Sequence, residues 1–303
     1  MNLALVGCGN WGRNILRDLT SLSCDVYVVD TNNSALAYAR QQGAVWTDLT
    51  LENLPPVDAI VVAVPTSLHY QIVSEAAQFG KPVLCEKPLT TNLEEARDLL
   101  ARHGELIFVT DKWRYHSGLE LVKRICKSDK YGKLLGVETK RMQPGSPHLD
   151  VDGIWILAPH DLSIADELLG FLPEPKSSLA YGNRDNLTDL ICVLGDSPWC
   201  SLQISITSSH RSRLIRVYLE DAILQLPNAE VDYLEVLSAK SALQGRPPEI
   251  ERLQFSNDMP LKRELEAFLN YLDGGAPPPA SAYKAVRTVE VIDTLRSMAI
   301  GYR

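Results

Sequence analysis

Up to residue 110 the apolar residues fall into short, nearly unbroken runs, separated by stretches with helical spacing. Residues 3–7 (LALVG) form the first run and end in glycine, and residues 11–22 then place Ile15, Leu16 and Leu19 on one helix face. Residues 24–30 (CDVYVVD) read as a second strand, and residues 33–43 as a helix stopped by Gly43. Residues 58–65 (DAIVVAVP) read as another buried strand, followed by a helix over 67–80. Residues 82–88, 92–104 and 106–110 continue as strand, helix and strand. Strands apolar almost throughout, joined by amphipathic helices, predict a parallel sheet covered on both faces. The expected fold is α/β, beginning with a doubly wound Rossmann domain.

After residue 130 the pattern changes. Residues 134–143, 189–195, 200–209, 214–221, 222–226 and 233–239 are strand-like, often alternating, with turn residues between them. Helices are expected chiefly over 117–128, 161–169, 260–273 and 283–299. Successive strands without intervening helices predict a large, mostly antiparallel sheet in a C-terminal α+β domain. The border is placed so that residues 1–115 form the first domain and 116–303 the second, with the C-terminal helices free to pack back on the first. The open sheet face is a natural surface for homo-oligomers. Residues 154–161 (IWILAPHD) read as a strand end that hands over to the helix at 161, with His160 at the join.

A chain of 303 residues is long for one hydrophobic core, which agrees with two domains. Its formal charge of −8, with no basic stripe, argues against a nucleic-acid partner. No run approaches the roughly 18 apolar residues that span a bilayer, and the N-terminus shows no secretory leader, so no membrane partner is expected. The six cysteines are scattered without metal-like spacing, which suits a reduced, cytoplasmic protein.

The chemistry begins at Gly7-Cys8-Gly9-Asn10-Trp11-Gly12, directly after the first strand and at the start of a helix. In a dinucleotide-binding turn the first glycine allows the tight bend. The second lets backbone approach a pyrophosphate, and the third lets helix and strand pack closely. A tight turn without ligand is the plainer alternative. Asp30 ends the second strand, where a carboxylate accepts bonds from ribose hydroxyls and repels a 2′-phosphate. Thr31 and two asparagines follow, with no arginine to welcome that phosphate, so NAD is expected in preference to NADP. Asp30 as a simple loop cap is the alternative.

Longer motifs resemble one family from end to end. Residues 64–100 (VPTSLHYQIVSEAAQFGKPVLCEKPLTTNLEEARDLL), 113–125 (WRYHSGLELVKRI), 158–170 (APHDLSIADELLG) and the helix pair over 261–298 resemble the glucose–fructose oxidoreductase, inositol dehydrogenase and MocA (Gfo/Idh/MocA) family. The resemblance implies an NAD(P)-dependent oxidoreductase acting on CH–OH groups of a sugar-like small molecule. It also leaves open a catalytically weakened dinucleotide-binding sensor or scaffold of the same fold. It implies that Lys87 polarises a substrate hydroxyl, that His160 exchanges its proton, and that the Lys87–Pro88 peptide is cis. Pro65, Thr66, His69, Glu86 and Lys87 then join Gly7, Gly9, Asn10, Trp11, Gly12, Asp30 and Thr31 as cofactor contacts. Lys87, Arg114, Tyr115, Ile156 and His160 are the substrate contacts. The plainer alternatives are a solvated turn for Lys87, a structural join for His160, a backbone-satisfied helix start for His69 and a solvated hinge for Arg114.

One position departs from the family. Many members carry Asp four residues before the histidine, and here that position is Ile156. Read as a strand, the segment places Asp152 about 13 Å from that position, too far to substitute, while Asp161 points elsewhere. Either the substrate lacks a hydroxyl there or catalysis has weakened. His148, Asp150 and Asp152 are read as a solvated loop, so no metal is expected. Trp113, Trp155 and Trp199 are read as core or interface.

Overall fold

The computed structural model describes residues 1–146, 150–183, 186–256 and 259–301. Its chain forms two units, Met1–Lys112 with Pro260–Val289, and Trp113–Met259 with Glu290–Arg303.

The first unit follows the alternation of the sequence: β1 (Asn2–Val6), α1 (Asn10–Ser21), β2 (Asp25–Val29), α2 (Asn33–Gln41), β3 (Trp46–Asp48), β4 (Ala59–Val62), α3 (His69–Ala77), β5 (Val83–Cys85), α4 (Leu93–His103) and β6 (Ile107–Val109). All neighbouring strands are parallel, in the order β3-β2-β1-β4-β5-β6. Leu3, Leu5, Val26, Val28, Ile60 and Val62 are fully buried, as strands covered on both faces require. Edge strand β3 was not anticipated, because three half-buried residues carry no usable period.

The second unit contains α5 (Ser117–Lys127), β7 (Leu134–Pro144), α6 (Gly153–Leu169), β8 (Pro175–Asn183), β9 (Asn186–Leu194), β10 (Trp199–Ser205), β11 (Thr207–Leu219), β12 (Ala222–Leu226), β13 (Tyr233–Ser238), α7 (Ala239–Leu243) and β14 (Ile250–Gln254). These strands form one sheet ordered β14-β13-β12-β11-β7-β10-β9-β8. It is antiparallel except where β10 runs parallel to β7. The two strands missing from the sequence reading, β8 and β14, are its edges. β14 is exposed along nearly all its length and β8 opens on a proline, so neither shows a clean alternation.

The strand expected over 154–160 does not exist. Residues Gly153–Leu169 form a single helix in which Ile154 to Pro159 are all buried. Asp152 caps it, its Oδ1 accepting the N–H groups of Ile154 (3.1 Å) and Trp155 (3.3 Å), and Gly170 follows its last residue. A helix apolar on every side gives no amphipathic period, so a short run of it cannot be told from a buried strand. Pro159 lies inside the helix, where proline usually ends one.

Two C-terminal helices follow, α8 (Pro260–Leu272) and α9 (Ala282–Gly301). Leu261, Leu265 and Phe268 of α8 share one core cluster with Ile15, Leu16 and Leu19 of α1. Beside them lies Glu264, a fully enclosed carboxyl. Its Oε1 accepts the Asp111 N–H, and its Oε2 has no hydrogen-bond partner among the described residues. Burial, reinforced by the charges of Glu86 and Asp111, pushes its pKa well above the ordinary carboxyl range. A group whose folded value is raised stabilises the protein fully below its unfolded pKa, and that contribution is lost as pH rises. Glu264→Gln should therefore gain stability relative to the wild type between pH 5 and pH 8. Urea midpoints at the two pH values measure this, and a constant difference would contradict it.

Candidate functional site

In the first unit, β1 runs directly into the glycine turn. Gly7 has φ +94°, and a Cβ there would stand 2.6 Å from the Ala63 carbonyl oxygen. A Cβ on Gly12 would stand 2.1 Å from the Gly7 carbonyl oxygen. Both glycines are thus required by backbone packing. Gly9 differs: nothing lies within 4 Å of its Cβ position, and it caps α1 without any side-chain bond. The turn therefore presents bare backbone and the unpaired N–H groups of α1 to open space, as a pyrophosphate needs. Asn10 is exposed there.

Asp30 closes the turn from β2. Its Oδ2 accepts the Cys8 N–H at 2.7 Å and its Oδ1 accepts the Asn32 N–H at 2.8 Å. A carboxylate offers about four acceptor positions, so each oxygen keeps capacity for a ribose hydroxyl, with Thr31 exposed alongside. This turn sits where β1 has β2 on one side and β4 on the other, the point in an open α/β sheet where ligands gather. The residues present fit a dinucleotide. Arg13, missed in the sequence reading, stacks its guanidinium 4.2 Å from the centre of the Tyr38 ring, next to the same turn. Its signal was only its place immediately after Gly12.

Glu86 and Lys87 follow β5, and the Lys87–Pro88 peptide is cis. The Trp11 indole N–H donates to Glu86, and the Lys112 ammonium lies 5.1 Å from the centre of the Trp11 ring. This links the glycine turn to the segment carrying Lys87, which is half-buried. His69 is only 1% exposed. Its Nδ1 lies 2.7 Å from the Pro88 carbonyl oxygen and its Nε2 lies 3.1 Å from that of Val64. Burial lowers its pKa, opposed by these two carbonyls. His69 thus ties the loop bearing Pro65 and Thr66 to the turn bearing Lys87. Pro65 is exposed and Thr66 half-buried.

In the second unit, Ile156 and His160 lie four residues apart on α6, one above the other on the same face. The helix corrects the 13 Å reading of Asp152, because four residues advance only about 6 Å in a helix. Asp152 is nevertheless unavailable to substrate, since it caps α6, receives the Leu187 N–H at 3.2 Å and pairs with Arg296. Ile156 is buried and His160 half-buried. Asp161, expected to point elsewhere, forms a buried ion pair with Arg141, Nε to Oδ2 2.7 Å.

Arg114, expected at the substrate or in solvent, is buried with Nη2 2.6 Å from Asp166 and Nη1 2.6 Å from Glu167. Those carboxylates belong to the last turns of α6, and Lys123 also pairs with Glu167. Arg114 therefore braces the helix that carries His160. Tyr115 beside it is half-buried. His148 lies outside the described residues. Sequence reasoning also missed Arg141, Gln143 and Arg213. The available signal was that Thr139, Arg141 and Gln143 occupy the buried parity of alternating β7.

Residues 1–108 match the family described as an oxidoreductase family with an NAD-binding Rossmann fold, the Gfo/Idh/MocA family. Inositol 2-dehydrogenase 2 of Saccharopolyspora erythraea is 32% identical over 183 residues, 56% of this chain and 54% of that protein. The chain thus spans about half the length of this relative. UDP-N-acetylglucosamine 3-dehydrogenase of Acidithiobacillus ferrooxidans is 26% identical over 299 residues, 91% of this chain and 90% of that protein. A solved structure of the latter enzyme superposes with TM-score 0.85 and 21% identity, covering 100% of this chain and 98% of the other, which shows a shared fold.

Proposed function

We propose, from the premise that this chain belongs through residues 1–108 to the Gfo/Idh/MocA oxidoreductase family, that it exchanges a hydride between NAD and the hydroxyl or keto carbon of a sugar, polyol or nucleotide sugar. One observation carries the reading: the glycine turn is open at Gly9, closed by packing at Gly7 and Gly12, and clasped by Asp30. The first unit is assigned to the dinucleotide and the second to substrate.

Gly7, Gly9, Asn10, Trp11 and Gly12 hold the pyrophosphate, and Asp30 with Thr31 holds the adenosine ribose. Pro65, Thr66, His69, Glu86 and Lys87 shape the path to the reactive end. Asp30 disfavours a 2′-phosphate, and the nearby Arg13 guanidinium is engaged on the Tyr38 ring, so NAD is preferred to NADP. The bound nicotinamide supplies the hydride acceptor. Lys87 donates a hydrogen bond to the reacting oxygen, and His160 takes the hydroxyl proton at a ring nitrogen, work for which an imidazole is chemically suited. Ile156 leaves an apolar wall one helical turn from that histidine, which selects a substrate without a hydroxyl at that place.

Homo-oligomerisation through the open sheet face belongs to the same reading. Leu179 (66% exposed) and Ile191 (53% exposed) stand directly opposite each other on β8 and β9, with Tyr181 (71% exposed) next along β8. No helix among the described residues is long and apolar enough to cross a membrane. The six cysteines are all free thiols, which supports a reducing cytoplasm.

The test is absorbance at 340 nm with NAD or NADP and a panel of sugars, inositols and nucleotide sugars. Substrate-dependent NADH formation, weaker with NADP by tenfold or more, is expected. Tight NAD binding with no turnover across the panel would favour a sensor.

A further inference from the structure

The inner face of β7 presents Thr139, Arg141 and Gln143, all buried. On the adjoining strand β11, Arg213 stands directly opposite Arg141. Opposed residues of an antiparallel pair share one face, so two guanidinium groups lie side by side where Asp161 of α6 reaches the sheet. Asp161 neutralises Arg141, and the Trp113 ring lies 4.9 Å from that guanidinium.

Arg213 is held differently. Its Nη1 donates to the carbonyls of Met142 (2.8 Å) and Ser212 (2.9 Å), and its Nη2 donates to Gln143 Oε1 (2.6 Å). None of these partners carries charge, and no carboxylate among the described residues pairs with Arg213. Burial, then the charge of Arg141, pull its pKa down to about 10, against weaker support from Asp161 and Glu230. Holding a half-buried cation beside a second one costs stability, and a bound anion relieves that cost. An arginine has five N–H donors. The three bonds all run from Nη1 and Nη2, so the Nε–H edge of the guanidinium donates none of them. That edge matches two oxygens of a carboxylate or phosphate.

We infer that Arg213, fixed by Gln143 beside the Arg141–Asp161 pair, recognises an oxyanion on the substrate, next to the turn of α6 that carries His160. The substrate class is therefore an anionic sugar derivative, its charge borne by a phosphate group or a carboxylate. This rests on the oxidoreductase reading and deepens it. In a chain of net charge −8 a local cationic surplus of this kind also sets the sign of the preferred ligand.

Calorimetric titration of the NAD-saturated protein tests it without requiring turnover. The probes are UDP-N-acetylglucosamine and glucuronate, with N-acetylglucosamine and myo-inositol as neutral controls. Wild type should bind at least one charged probe tenfold or more tighter than its neutral control. The probe that binds tells phosphate from carboxylate. Arg213→Leu should erase that preference, Arg213→Lys should retain part of it, and all three proteins should bind NAD within threefold of one another. Loss of the charged probe in Arg213→Leu should appear in KM more than in kcat wherever turnover is seen. Equal binding of charged and neutral probes by wild type, no binding of either class, or undiminished charged-probe binding by a folded Arg213→Leu would overturn the inference. Anion selectivity without NADH formation would sink the oxidoreductase reading and leave this one standing. NADH formation from neutral probes alone would do the reverse.

Discussion

Gly12→Ala should lose NAD binding by a hundredfold or more and unfold at lower urea concentration than the wild type. The methyl group would stand 2.1 Å from the Gly7 carbonyl oxygen, so backbone meets backbone and no side chain can give way. Helix α1 must move off β1, which disturbs the core at Ile15, Leu16 and Leu19 and swings the helix N-terminus away from the turn. Overpacking of this kind costs about 1–3 kcal/mol or more. Gly9→Ala separates the two effects. Its Cβ meets no protein atom within 4 Å, so stability should barely change, while the methyl covers the face offered to the pyrophosphate and weakens NAD by about tenfold. Tight NAD binding by Gly12→Ala, measured by calorimetry, would rule out the turn as the phosphate cradle.

Lys87→Met and His160→Asn should each lower kcat by about a hundredfold to ten-thousandfold, the range of general acid–base assistance, with NAD affinity kept within threefold in His160→Asn. The separation matters because the Lys87 turn is held from outside by His69 through the Pro88 carbonyl, and α6 is held by Arg114 and by the Asp152 cap. Steady-state kinetics on the fastest substrate of the panel decides the matter. Either variant retaining near wild-type kcat would remove that residue from the proton relay.

The parallel sheet was legible because every strand at its centre is buried on both faces, and an unbroken apolar run between stretches of helical spacing is the mark of such a strand. The glycine turn was legible because its function demands a residue type at fixed intervals. The helix expected over 161–169 is the second half of α6, but its first half was not legible, for the opposite reason: burial of every residue from Ile154 to Pro159 erases the helical period, and Pro159 imitates a boundary. Asp152 and Gly170, which do mark its ends, look like ordinary loop residues without tertiary context. Charged residues were the other blind spot. Arg114 and Asp161 read as solvated or idle because their partners, Asp166, Glu167 and Arg141, meet them only after folding. Spacing along the chain carries no trace of such pairings. The alternation of β7 held an unread signal for an inward arginine at 141, and Arg213 could be found only once the register of β11 was known.

The most direct measurement is the fate of the substrate's carbon-bound hydrogen. The panel compound that reduces NAD fastest, labelled with deuterium at its carbinol carbon, would be turned over and the reduced cofactor analysed by mass spectrometry. Direct hydride transfer predicts one deuterium in each NADH formed, and none when the label is in the solvent instead. Reduced cofactor without substrate deuterium, or no reduction with any compound while NAD remains bound, would contradict the assignment of this chain as a dehydrogenase.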